Sequence, residues 1–364
     1  MTISTDRHLT SERAEDGPCG PLAEIDKYPV SKINCARRIV AAGVERWARR
    51  DRLQKCFIGS RWIGARIGMA LPRDSIYLSV DALPEPLERV QVRKVPTGIA
   101  DLDSIVDGGF PSGSTILLWG DVGAGMQEYV YTAASKTALV NERPEARHYY
   151  LGDRCDNSDL PTRICYVTFS RSKDIILQEL ATSFNGDYYR AFRDHTVFKD
   201  FSNVYFRHSV VPSSWTEEDD VFDRPSVNIL EELVTFLDEN AHDAMIVIDS
   251  LTDLAISDIV ELKDLVTTIK GLQRVAKRWN GLVYLLLTRG ILEARHEHLL
   301  MDSTDGCLVF EWRTSARSSN RQRYMYLEKF TGVLPHLPRD KIARFPTMVS
   351  SNHGLVVVFM ERIS

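Results

Sequence analysis

From about residue 95 onward, short β-branched and aliphatic runs alternate with stretches of helical periodicity. That alternation leaves very few folds open. Strands are expected at 115–119 (TILLW), 164–169 (ICYVTF), 204–208 (VYFRH), 245–249 (MIVID), 282–287 (LVYLLL), 307–311 (CLVFE), 323–330 (RYMYLEKF) and 355–360 (LVVVFM). Helices are expected at 126–139, 173–183, 227–240 and 259–279. Central strands apolar on both faces and separated by helices predict a largely parallel sheet covered on both sides. The later strands follow one another without long helices, which predicts antiparallel additions at one edge. The expected class is therefore α/β, with antiparallel edge strands near the C-terminus. The polar, proline-containing stretches 141–161 and 210–226 read as insertions or surface loops. No internal repeat is visible.

The chain has 364 residues, 44% hydrophobic and 26% charged, which is ordinary for a globular protein. No apolar run approaches the roughly 18 residues of a membrane helix, and the polar first twenty residues hold no secretory h-region. Six cysteines are scattered without Cys-x-x-Cys pairs or zinc spacing, so free thiols in a reducing compartment are expected. These features predict a cytoplasmic protein with no membrane partner. Of 45 basic and 50 acidic residues, 12 basic and only two acidic ones (Glu45 and Asp51) fall in 27–73, so the rest of the chain carries a net charge of −15. Residues 1–26 read as a disordered tail, 27–90 as a basic extension and 91–364 as the α/β domain. Residues 33–68 suit one or two basic amphipathic helices, which can meet nucleic acid, an anionic surface or an acidic partner. A solvated helical extension is the reading we favour. Met69 is a reasonable alternative start, which would place 1–68 outside the natural product.

One segment carries recognisable chemistry. An apolar run at 116–119 leads into Gly120-Asp121-Val122-Gly123-Ala124-Gly125, the glycine spacing of a phosphate-binding loop. Such a loop points backbone N–H groups at phosphate oxygens, and the following helix adds its N-terminal dipole. A lysine and a Ser or Thr then supply charge and a magnesium ligand. Here those positions are Met126 and Gln127. The backbone half of the device is present and the side-chain half is not. The competing reading is a tight strand-to-helix turn that binds nothing.

The residues upstream make the resemblance specific. The stretch 95–125, VPTGIADLDSIVDGGFPSGSTILLWGDVGAG, resembles the opening of the RecA-like ATPases, in particular their KaiC and RadA branch. Thr97-Gly98, Leu102-Asp103, Gly108-Gly109 and Pro111-Ser112-Gly113 match in order. The resemblance runs to about residue 360 and is closest to the haloarchaeal HTR-like proteins, which also lack the loop lysine. It implies a RecA-like P-loop fold. It further implies that Asp249, in DAMIVIDS at 243–250, stands where the family orients hydrated magnesium. An aspartate at a strand end is also a common helix cap. The family carries acidic residues after its second strand, one of which polarises the attacking water. This chain has Ser170 and Arg171 there, with Asp174 a helical turn beyond. The family's late Lys-x-Arg-Gly finger, which reaches a neighbouring subunit's nucleotide, survives here as Lys329, with Thr331 in place of the arginine.

Loss of an arginine finger alone costs roughly 10³-fold in rate or more. With the loop lysine, its hydroxyl neighbour and the acidic base also missing, the resemblance implies a non-hydrolysing regulatory or scaffolding protein. No catalytic and no metal-ligating residue is assigned, and whether the chain is an enzyme at all leans towards no. The residues expected to face a nucleotide are Gly120, Gly123, Ala124, Gly125, Met126, Gln127, Asp249 and Lys329, with ATP held weakly if at all. Partners implied are an unidentified protein and a second copy of the chain, with nucleic acid less favoured. Two alternatives remain open: an ATP-dependent RecA- or KaiC-type enzyme acting in recombination or signalling, and a DNA-binding module using the basic extension. Other signals read as solvated surface: the basic, serine-rich 313–323, the acidic 215–225, and His296 and His298, which diverge on a helix.

Overall fold

Nine strands form one sheet, in the spatial order Gly354–Val357, Phe345–Ser350, Arg321–Phe330, Gly306–Thr314, Ser114–Gly120, Leu282–Thr288, Ala244–Asp249, Arg163–Thr168 and Thr196–Asp200. The structure is a computed structural model that describes residues 92–206, 209–212, 215, 228–314 and 320–358. The chain divides into two units, Met1–Leu87 and Glu88–Ser364, and the described residues all fall in the second. The readings made for 1–26 and 27–90, for most of 210–226 and for the tip of 313–323 lie outside them.

Six strands run parallel: β3 (Ser114–Gly120), β4 (Arg163–Thr168), β5 (Thr196–Asp200), β6 (Ala244–Asp249), β7 (Leu282–Thr288) and β8 (Gly306–Thr314). The antiparallel β9 (Arg321–Phe330), β10 (Phe345–Ser350) and β11 (Gly354–Val357) extend the β8 edge. This is the architecture expected from the sequence. A separate ribbon pairs β1 (Lys94–Val95) with β2 (Phe110–Pro111).

Alternation along the strands sends side chains to two cores. Ile116 and Leu118 face α1 (Ala100–Ile105), α2 (Met126–Glu142), α4 (Lys173–Ser183) and α5 (Gly186–His195). Leu117 faces α7 (Ile229–Asn240), α8 (Leu251–Ile256), α9 (Leu262–Trp279) and α10 (Ala294–Asp302). Each fully buried Leu, Ile or Phe contributes about 1.5–3 kcal/mol, so the doubly covered strands β3, β6 and β7 dominate the stability of this unit.

Several expectations are corrected. The described part of the strand expected at 204–208 falls in a short helix, α6 (Ser202–Phe206). The strand lies earlier, at β5, and Asp200 ends it: its carboxylate accepts from Ser202 N at 2.8 Å and Lys173 N at 3.1 Å. The polar stretch 141–161 is not a plain loop. It holds the end of α2 and α3 (Arg147–Leu151), with 3-10 turns on either side, and buries Leu151 and Cys155. Sequence periodicity missed α5, which Asn185 caps through bonds from Asp187 N and Tyr188 N, and it missed α10 and β10.

The Leu102-Asp103 pair has a structural role. Asp103 is fully buried and accepts from Thr97 N at 2.8 Å, fixing the turn that starts the domain. Burial pushes its carboxyl up from 3.8 to about 7 despite the bonds from Thr97. Its proton is thus held by the folded chain and released by the unfolded one, so stability falls as pH rises through this window. Lys136, also buried, is lowered by burial to about 8, against the pull of Asp101 and Asp103, and its cost is nearly constant below that pH. Urea unfolding at pH 5 and pH 8 should show Asp103→Asn removing about 2–3 kcal/mol of wild-type pH dependence. An unchanged slope would contradict this reading of Asp103.

Candidate functional site

The glycine-rich loop is a strand-to-helix connection. β3 ends at Gly120 and α2 starts at Met126. Gly123 (φ +72°) and Gly125 (φ +120°) adopt left-handed backbone that an L side chain resists. Gly125 caps α2 without any side-chain bond, so the first N–H groups of this helix have neither a cap nor carbonyls behind them. Nothing lies within 4 Å of a β-carbon placed on Gly123, so the loop tip is open. The exposed side chain there is Val122.

The rest of the loop is strapped to the β8–β9 hairpin. Trp312 N donates to Asp121 Oδ2 at 3.0 Å, and Trp312 Nε1 donates to the Val122 carbonyl at 3.1 Å. Arg323 Nε donates to the Gly123 carbonyl at 3.1 Å. These contacts engage two loop carbonyls and the Asp121 carboxylate as acceptors. Met126 and Gln127 divide at this point. Gln127 is half-buried, whereas Met126 turns inward and joins the core. A β-carbon on Gly120 would meet Met126 Cγ at 2.9 Å, its Sδ at 3.0 Å and Phe310 Cβ at 2.9 Å. The bare backbone of Gly120 is thus what lets Met126 fold in.

Asp249 ends β6, and β7 alone separates β6 from β3, so both strands finish at the same edge of the sheet about 10 Å apart. Its carboxylate is buried and already engaged. Tyr166 Oη donates to Asp249 Oδ2 at 2.7 Å, and Arg171 Nη2 pairs with the same oxygen. Arg171 Nη1 donates to Glu179 Oε2 at 2.5 Å, and Tyr131 Oη donates to that oxygen at 2.9 Å. Thr168 Oγ1 holds the turn by donating to the Arg171 carbonyl at 2.7 Å. Burial opposes the charge on Arg171, but the Asp249 carboxylate beside it outweighs that and fixes it as a guanidinium. Burial, reinforced by Asp249, holds Tyr166 in its phenol form, a donor at any ordinary pH. Ser170, next to Arg171, bonds Asp253, which Ser250 also holds.

Lys329 stands apart from this group. Its Nζ donates to the carbonyls of Met301, Asp302 and Thr304 at 2.9, 3.0 and 2.7 Å, closing the C-terminal end of α10. The structure therefore places Gly123 at the open loop tip, Gln127 half-buried beside it, Gly120, Ala124, Gly125 and Met126 buried beneath, Asp249 at the same end of the sheet and Lys329 at a helix end. Sequence reasoning missed Tyr166, Tyr131, Glu179, Trp312 and Arg323. Arg171 in a position where an acid was expected was the one visible signal of the first three.

ATP with magnesium is the group the sequence resemblance implies, and the residues fit it only in part. The uncapped helix N-terminus and open Gly123 suit phosphate oxygens. The metal half does not fit, because one oxygen of Asp249 already carries both a cation and a phenol, and Gln127 stands where a hydroxyl would join it. Among the described residues, no cluster of three or more His, Cys, Asp or Glu could hold a metal ion. No helix among them is long and apolar enough to cross a membrane.

No protein-family model matches the chain, and no curated protein matches it. Among solved structures, it is similar to the crystal structure of a KaiC-like protein from the hyperthermophilic archaeon Pyrococcus horikoshii OT3. The identity is 17% over 74% of this chain and 100% of that one, with a TM-score of 0.49. A likeness at that level does not carry over to function.

Proposed function

We propose that this chain is a degenerate KaiC-like protein of RecA fold that does not hydrolyse ATP and acts as a cytoplasmic regulatory or scaffolding partner, related to the HTR-like proteins. In this reading residues 91–364 form the RecA-like domain behind the basic extension. Any nucleotide rests weakly on the loop from Gly120 to Gln127, with no part for Lys329 inside its own chain. The observation that carries the proposal is the pairing of Arg171 with Asp249: the carboxylate that would orient hydrated magnesium already holds a permanent cation. Phosphoryl transfer depends on positioning and charge neutralisation by that metal, and no other described residue replaces it.

The expected result is a small or absent thermal shift with millimolar ATP and magnesium, and no sustained phosphate release. Steady release that Asp249→Ala abolishes would sink the proposal.

A further inference from the structure

A second feature lies on the hairpin that straps the loop. β8, β9, β10 and the turn of chain after β11 enclose an open pocket of about 450 Å³. That volume is within the usual range for small-molecule sites. One wall is cationic. The guanidiniums of Arg321 and Arg323 both stack on the Trp312 indole, 4.5 and 4.9 Å from its centre. Arg323 has one acidic neighbour, Glu128 at 3.4 Å, and Arg321 forms no ion pair among the described residues. Two guanidiniums held on one ring with a single carboxylate leave an uncompensated positive charge. The lining also includes apolar side chains of β10, those of Pro346, Val349 and the half-exposed Met348. Thr347, on the same strand, is buried, with its hydroxyl unpartnered. Its carbonyl accepts from Gln322 Nε2 at 3.0 Å, so the amide that lines the pocket is held in place.

We propose that this pocket binds a small organic anion, a phosphate or carboxylate carried on a planar or apolar body. The Arg321 guanidinium, held by stacking, loses little freedom on binding, and its planar fork matches the paired oxygens of either anion, while Arg323 adds positive charge beside it. The apolar side chains of β10 accept the body of the ligand. Arg321 and Arg323 thereby have a use that a solvated turn does not supply. Trp312 and Arg323 line this pocket and also hold the loop, whereas Arg321 touches only the pocket side.

The test is fluorescence titration of the full chain with phenyl phosphate, benzoate, adenosine 5′-monophosphate and uncharged benzyl alcohol, with Trp312→Phe as the reference that isolates the Trp312 signal. Phenyl phosphate or benzoate should change that signal at millimolar concentrations or below, and benzyl alcohol should not. Stronger binding of adenosine 5′-monophosphate than of phenyl phosphate would identify a nucleotide as the natural source of the anion. Arg321→Gln, which leaves the Arg323 strap in place, should weaken binding about tenfold or more, because it removes a charge-assisted hydrogen bond. A silent Trp312 signal with every anion, or unchanged affinity in Arg321→Gln with its circular dichroism intact, overturns the proposal.

Discussion

Arg171→Ala should destabilise the protein by about 3–5 kcal/mol in the presence of a chelator. The substitution strips a buried carboxylate of its cation and leaves Asp249 with only the Tyr166 hydroxyl. It should also confer a property absent from the parent chain. Magnesium or manganese should raise the melting temperature of Arg171→Ala, because a buried carboxylate stripped of its cation recruits another. The wild type should be indifferent to either ion. Adding Asp249→Asn to Arg171→Ala should recover much of the lost stability and abolish the ion response, since the two residues form one interacting pair. Differential scanning calorimetry with and without the metals decides the matter. An Arg171→Ala protein as stable as the wild type and blind to both ions would mean that the pair does not define the site.

Putting the motif lysine back should fail. Met126→Lys is expected to lose about 3 kcal/mol or more in urea unfolding. Its side chain replaces one that is buried against Gly120 and Phe310, where an ammonium has no partner. Combining it with Gln127→Thr restores both loop residues on paper. Phosphate release should nonetheless remain at background, because Arg171 still sits on Asp249. Sustained turnover by the double variant would show that the loop alone was limiting. That result would make the engaged carboxylate irrelevant.

The two expectations draw on different levels of the chain's information. The parallel sheet was readable because β3, β6 and β7 are apolar on both faces, a pattern with few alternative homes. β5 was not, because THR-VAL-PHE flanked by Arg193, Asp194, Lys199 and Asp200 looks like solvated chain. Its pairing with β4 is a tertiary effect that overrides the local pattern. The loop was readable because glycine spacing after a strand is a local signal. The fate of Asp249 was not. It depends on Tyr166, 83 residues earlier, and on Arg171, 78 residues earlier, which only the register of β4 against β6 brings together. The Trp312 and Arg323 straps are hidden for the same reason, lying about 190 and 200 residues from the loop that they hold.

An ion taken from solution has a concentration and a residence time, so any centre built on one reports on its surroundings. The guanidinium of Arg171 has neither. Its local concentration is set by a covalent backbone, and dilution, chelation or a swing in cellular ion levels leaves it where it is. The edge of the sheet around Asp249 is consequently held in one electrostatic state for as long as the fold persists, a fixed surface where a responsive one could have been.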